Sequence, residues 1–151
     1  MDARIKHFLK SKIKGEVGQK FVAEMFRSWN LTVDEVGDVY FPDYDLAVKG
    51  ILHGRELNFK AEVKHDYRMH ETGNFCLELD ALRHSRAGIL TIVEGVPPQI
   101  VYMLPLQDAL RFAESYPNKR SVGERGEFAA LVPKDIVISQ LKPKVLTNSI
   151  G

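Results

Sequence analysis

The stretch FPDYDLAVKGILHGRELNFKAEVKHD, residues 41–66, decides how the chain is read. It contains two apolar-rich segments, 44–49 and 56–64, separated by GILHG, whose two glycines suit a turn. Side chains alternate faces along a strand. Asn58, Lys60, Glu62 and Lys64 therefore share one face of the second segment, and Phe59, Ala61 and Val63 share the other, apolar face. An antiparallel hairpin lays the start of the first strand beside the end of the second. Asp45 then meets Glu62 and Lys64 at one corner, with Glu62 and Lys64 roughly 7 Å apart along their strand. Val63 turns inward, which leaves its backbone carbonyl near the same edge.

The rest of the chain sets the frame for that corner. At 151 residues with 44% apolar content, it has the size of one domain and enough material for a core. No apolar run is long enough to span a bilayer. The opening MDARIKHFLKSKIK is basic and lacks the apolar centre and cleavage site of a secretory signal. With Cys76 as its one cysteine the chain can form no internal disulfide, and a cytoplasmic location is the natural reading. The net charge is +1, yet the first 20 residues carry six basic and two acidic side chains. Residues 1–14 read as a basic arm or helix, either simply solvated or in contact with phosphates through Lys12 and Lys14.

Residues 15–29 read as a helix with Val17, Phe21, Val22, Met25, Phe26 and Trp29 along one stripe, and Asn30 as its stop. The stripe marks these aromatics as core. NFCLELD (74–80) alternates as a strand. GILTIVEG is ambiguous between strand and helix, PPQIVYML reads as a strand, and LQDALRFAESY as a helix. EFAALVP and DIVISQL read as late strands, and 141–151 as a flexible tail of a single domain. Helices flank a run of strands, which points to an α/β layer with a mixed sheet. No glycine-rich phosphate loop or dinucleotide fingerprint is present, so no nucleotide cofactor is expected.

Two adjacent carboxylates repel by roughly 4 kcal/mol at about 4 Å and an effective dielectric near 20. A hard divalent cation offsets that, and Asp, Glu, a carbonyl and water suit Mg²⁺, with Mn²⁺ as a substitute. Such an ion polarises a phosphodiester oxygen and acidifies an attacking water. Lys64 would add fixed positive charge where negative charge develops. It is a poor general base, because bringing a lysine from about 10.4 to about 7 takes roughly 4–5 kcal/mol. A Glu-x-Lys step alone means little, since about half of chains this long contain one by chance. The layout around it supplies the weight.

That layout resembles the PD-(D/E)XK nuclease superfamily, to which restriction endonucleases and Holliday-junction resolvases belong. Pro42-Asp43 is a literal PD, YDLAV has the acid-then-apolar-strand form, and AEVKHD carries Glu62 and Lys64. ETGNFCLELD is similar to a Thr-Gly-Asn…Glu stretch of small, phage-type members, and SRAGILTIVEG and IVYMLPLQDAL sit where such members carry a Ser-Gly segment, a strand and a helix. The resemblance covers roughly residues 15–112. It implies a restriction-endonuclease-like αβββαβ core and a Mg²⁺-dependent endonuclease acting on DNA, in a setting that extends to a virus-infected cell. Asp45, Glu62 and Lys64 would be catalytic, with Asp45, Glu62 and the Val63 carbonyl on the metal. Lys12, Lys14, Arg68 and Arg86 would contact phosphates. A homodimer would supply two sites for two strands. Asp43 remains a rival to Asp45, both being on the same strand face. Many members place a glutamate in the first helix; the matching step here is Gly18-Gln19, with Glu16 a turn earlier and facing away from the stripe. The alternative reading is a catalytically inactive nucleic-acid-binding or assembly module on the same fold. A protein-interaction domain with no nucleic-acid role is a third.

Several residues carry two readings. His65 and His70 are metal ligands or, more ordinarily, surface histidines and phosphate contacts. Glu78 either supports the site from the next strand or is solvated. Cys76 is a small buried filler. Arg83, His84 and Arg86 form either a solvated turn or a DNA-facing patch.

Overall fold

The computed structural model describes residues 3–35, 44–122 and 127–147, with side chains from residue 16 onward. Helix α1 (Ala3–Ser28) opens the chain, so the basic segment from residue 3 is the first half of a helix that was expected to begin near residue 15. It ends where Asn30 turns to φ 63° and the N–H of Leu31 reaches back to the Phe26 carbonyl at 3.3 Å, a left-handed stop of the kind asparagine tolerates. Strand β1 (Thr32–Glu35) follows and pairs antiparallel with β2 (Leu46–Leu52). β2 pairs antiparallel with β3 (Arg55–Asp66), with Leu46 opposite Ala61 and Leu52 opposite Arg55. The turn between them is the two residues His53-Gly54, both at positive φ. GILHG is thus mostly strand, and Gly50 lies inside β2. Both central residues of a twisted two-residue hairpin need positive φ, and glycine supplies it freely.

After a short helix α2 (Met69–Thr72), strand β4 (Asn74–Glu78) and helix α3 (Leu79–His84), the chain enters β5 (Ile89–Glu94). β5 lies parallel to β3, with Glu62 opposite Leu90, and a parallel neighbour requires such a crossover. β6 (Ile100–Pro105), α4 (Leu106–Ser115), β7 (Lys119–Val122), β8 (Glu127–Pro133), α5 (Lys134–Leu141) and β9 (Lys144–Thr147) complete the described chain. The main sheet is mixed, ordered β1-β2-β3-β5-β6-β9, and a second sheet is ordered β4-β8-β7. The sequence α1, β1, β2, β3, α3, β5 is the expected αβββαβ order.

Three readings change. NFCLELD does not supply the third strand of the core: β4 joins the second sheet, and Leu79 begins α3, still buried. The missing core strand is the four-residue β1, of which Val33 alone is buried, too little pattern to read. DIVISQL is helix α5, entered after Pro133, despite its β-branched residues. Lys144–Thr147, read as flexible tail, pairs with β6 as an edge strand.

The two faces of the main sheet are packed differently. Val22, Ala23 and Phe26 of α1 bury one face against Leu46, Val48, Ala61, Val93 and Val101. On the other face, Leu90, Ile92, Tyr102 and Leu104 of β5 and β6 pack against the second sheet and the helices α2–α5. Alternation assigns Glu62 and Lys64 to this second face, opposite α1.

Candidate active site

Asp45 sits one residue before β2. Its N–H donates to the Ala61 carbonyl at 2.9 Å, and its Oδ2 accepts the Val63 N–H at 2.7 Å. The odd-numbered residues of β3 thus turn their peptide groups toward β2 at this end. The Val63 carbonyl is aimed to that same side, past the end of β2, while the Val63 side chain packs with the α1 core. The hairpin therefore brings Asp45, Glu62 and Val63 together as the alternation predicts. Pro42 and Asp43 lie outside the described residues.

Electrostatics mark the corner. Burial is the largest influence on Asp45 and pushes its carboxyl above the usual range, with the Val63 N–H and the Lys64 ammonium pulling the other way. Glu62 is pushed from 4.5 to about 7, first by burial and then by the charge of Asp45; Lys64 and a hydrogen bond from Ser85 oppose that rise. Two half-buried acids, the charge of one raising the proton affinity of the other, form an arrangement that a cation relieves. Lys64 reaches from the same face toward Glu78, with Nζ 3.9 Å from Oε2. Glu78 on β4 is itself pushed upward, chiefly by burial, and is close enough to Lys64 and Glu127 for both to act on it. Glu78 is therefore beside the site rather than out in solvent.

The donors fit a hard divalent ion: two carboxylates under mutual repulsion and a carbonyl aimed to the same side. No group of three or more His, Cys, Asp or Glu side chains is arranged to hold a metal among the described residues.

Arg68 is exposed beyond the end of β3, where its N–H and that of Met69 donate to Asp66 Oδ1 at 3.0 and 2.9 Å. Arg86 is exposed and adjoins Ser85. Lys12 and Lys14 lie in α1, their side chains outside the described ones. Glu16 is exposed on α1, which packs on the face opposite Glu62. His65 is on the α1 side, its Nε2 2.7 Å from the Gly95 carbonyl, and so is turned away from Asp45 and Glu62. His70 lines a separate cavity of about 310 Å³ with Tyr67, Glu71 and Gln99. Arg83 is paired with Asp80 and Glu114, and His84 Nδ1 is 2.8 Å from the Asp80 carbonyl. These contacts favour a structural role for that turn. The Cys76 thiol is pushed up to about 12, first by burial and then by neighbouring acids, so it is no nucleophile at neutral pH.

Two groups were not anticipated. Ser85, just past α3, donates its hydroxyl to Glu62 Oε2 at 3.1 Å and accepts the Ala87 N–H at 3.2 Å. Ser85 opens SRAGILTIVEG, the stretch that sits where similar nucleases carry a Ser-Gly segment, and that was the available signal. Glu94, 4% exposed, accepts from Tyr102 Oη at 2.9 Å and pairs with Lys134 Nζ at 2.6 Å.

No family model matches the chain, and no curated protein matches it in sequence. Among solved structures, the chain is similar to the bacterial homing endonuclease I-Ssp6803I. The likeness covers 67% of this chain and 72% of that one, at 15% identity and a TM-score of 0.49.

Proposed function

We propose that this protein is a divalent-metal-dependent endonuclease that hydrolyses phosphodiester bonds in DNA. The observation that carries the reading is the corner at which Asp45 and Glu62, both proton-hungry through burial, meet beside the Lys64 ammonium. Asp45, Glu62 and the Val63 carbonyl would hold Mg²⁺ or Mn²⁺. When bound, that ion supplies charge neutralisation at the phosphate and a more acidic water. Lys64 stabilises the charge that develops on the phosphoryl oxygens and orients the water. Ser85 fixes the Glu62 carboxylate by its hydrogen bond. Arg68 and Arg86, with Lys12 and Lys14, contact backbone phosphates and set the orientation of the duplex without reading its sequence.

The test is cleavage of a panel of linear, branched and single-stranded DNAs with Mg²⁺ or Mn²⁺. The wild type should cut at least one substrate, and Lys64→Ala should lose about 10²–10³ in rate while retaining DNA affinity, the size of effect seen when a fixed transition-state donor is removed. A wild type inactive on every substrate with both metals would overturn the reading.

One feature favours the second reading, a non-catalytic nucleic-acid-binding module: α1 packs on the opposite sheet face and presents Glu16 to solvent. Such a module would show no cation-dependent stabilisation that Glu62→Ala removes.

A further inference from the structure

Two successive side chains on one face of β3 are tied to different parts of the second layer. Glu62 is held from the end of α3, where the Ser85 hydroxyl donates to its Oε2 at 3.1 Å. Lys64 is held from β4, its Nζ 3.9 Å from Glu78 Oε2, and among the described residues no other carboxylate pairs with that ammonium. The backbone fixes where Glu78 stands. It is opposite Ala129 of β8. Asp66, two residues beyond Lys64 on the same face of β3, accepts the N–H of Cys76 on β4. Cys76 and Glu78 share one face of β4 by alternation, and the charge of Asp66 acts on both. β4 is thus pinned against the end of β3 with Glu78 beside Lys64. Glu78 also has a side-chain hydrogen bond with Glu127. Such a bond between two carboxyls needs one proton, which leaves the pair one negative charge to face the ammonium.

A competing attraction lies on the other side of Lys64. Asp45 and Glu62 share a half-buried corner in which the charge of Asp45 acts on Glu62. An ammonium seated between them would relieve that repulsion as a metal ion does. Lys64 has the reach: its Cα is about 7 Å from that of Glu62 along the strand, its four-carbon stem is flexible, and its charge already acts on both acids. Seated there, it would take the place and the charge that a divalent cation needs. The ammonium pairs with Glu78 instead.

We infer that Glu78 is a positioning residue: it holds the Lys64 ammonium off Asp45 and Glu62, so that a divalent cation can enter between the two acids with Lys64 still beside it. This rests on the reading of that corner as a metal site. Without the Glu78 charge, Lys64 swings onto Asp45 and Glu62, and the cation has to displace it. The negative charge of Glu78 also attracts a cation directly, but that attraction does not depend on Lys64. The two causes therefore separate in a variant that lacks the lysine.

The experiment is calorimetric titration of Mn²⁺ into the full chain without DNA, comparing wild type, Glu62→Gln, Glu78→Gln, Lys64→Met and the double variant Glu78→Gln/Lys64→Met. Glu62→Gln should abolish binding at the corner. Glu78→Gln, which keeps the size and shape of the side chain, should weaken Mn²⁺ binding by about fivefold, the upper end for a partly exposed ion pair. Lys64→Met should bind Mn²⁺ at least as tightly as wild type, and adding Glu78→Gln to it should change the affinity by less than about twofold. A crystal structure of metal-free Glu78→Gln should show Lys64 Nζ paired with Asp45 or Glu62. Wild-type affinity in Glu78→Gln, an equal loss from Glu78→Gln with and without the lysine, or a Lys64 that turns to solvent in the variant would each overturn the inference while leaving the metal site standing. A wild type that binds no Mn²⁺, or binds it equally well as Glu62→Gln, would overturn the metal site itself.

Discussion

At the scale of single residues, the proposed chemistry rests on Glu62. Its folded value of about 7 stands against an ordinary 4.5. Between those values the folded protein holds a proton that the unfolded chain has released. Metal-free stability should therefore fall as pH rises from about 4.5 to 7, by on the order of 2–3 kcal/mol from this group. Asp45, Asp66 and Glu78 are all raised and act in the same direction. Urea denaturation at pH 5 and pH 7.5 in EDTA checks this. Glu62→Gln should flatten much of the slope, and a wild type more stable at pH 7.5 than at pH 5 would contradict it. The residues at this corner were legible because strand alternation and a hairpin register are enough to bring Asp45 and Glu62 together. The role of Ser85 was not, since α3 was not read from the sequence and only the crossover places this hydroxyl over Glu62.

At the scale of elements, legibility followed pattern length. The stripe of α1 and the alternation of β2 and β3 extend over enough residues to be read directly. β1 and β9 have four residues each and little buried surface, so pairing with a neighbour, not local pattern, defines them as strands. DIVISQL shows the opposite failure: its β-branched run suits a strand, but packing of Val137 in the second layer decides for a helix. The contact of α1 with β3 is close at one point. A Cβ on Gly18 would lie 2.7 Å from the Cβ of His65, the residue after Lys64. Alanine is preferred over glycine in a helix by about 1 kcal/mol, but such a clash typically costs about 1–3 kcal/mol. Gly18→Ala should therefore be destabilising in urea denaturation and should reduce activity by shifting the end of β3. A stabilised variant would show that α1 and β3 have room to spare.

At the scale of the molecule, two sheets have to be held in register so that β4 and α3 can bring Glu78 and Ser85 to the corner. The Glu94–Lys134 pair spans that junction, since Glu94 ends β5 of the main sheet and Lys134 begins α5 beside the second. The Lys134 N–H also donates to the Gly73 carbonyl at 2.8 Å. Lys134→Met would leave Glu94 buried with the Tyr102 hydroxyl alone, a loss of about 3–5 kcal/mol in chemical denaturation. Adding Glu94→Gln should recover part of it; equal stability of wild type and Lys134→Met would mean that the pair does not tie the layers together. Nothing in the order of elements announced this junction, because it joins residues forty positions apart whose charges read separately as surface. On the proposed function, the whole arrangement serves one corner for a divalent cation. The most direct measurement is anomalous diffraction from a crystal soaked in Mn²⁺. A peak is expected among Asp45, Glu62 and the Val63 carbonyl, absent from Glu62→Gln; an empty corner in a crystal that binds Mn²⁺ elsewhere would contradict it.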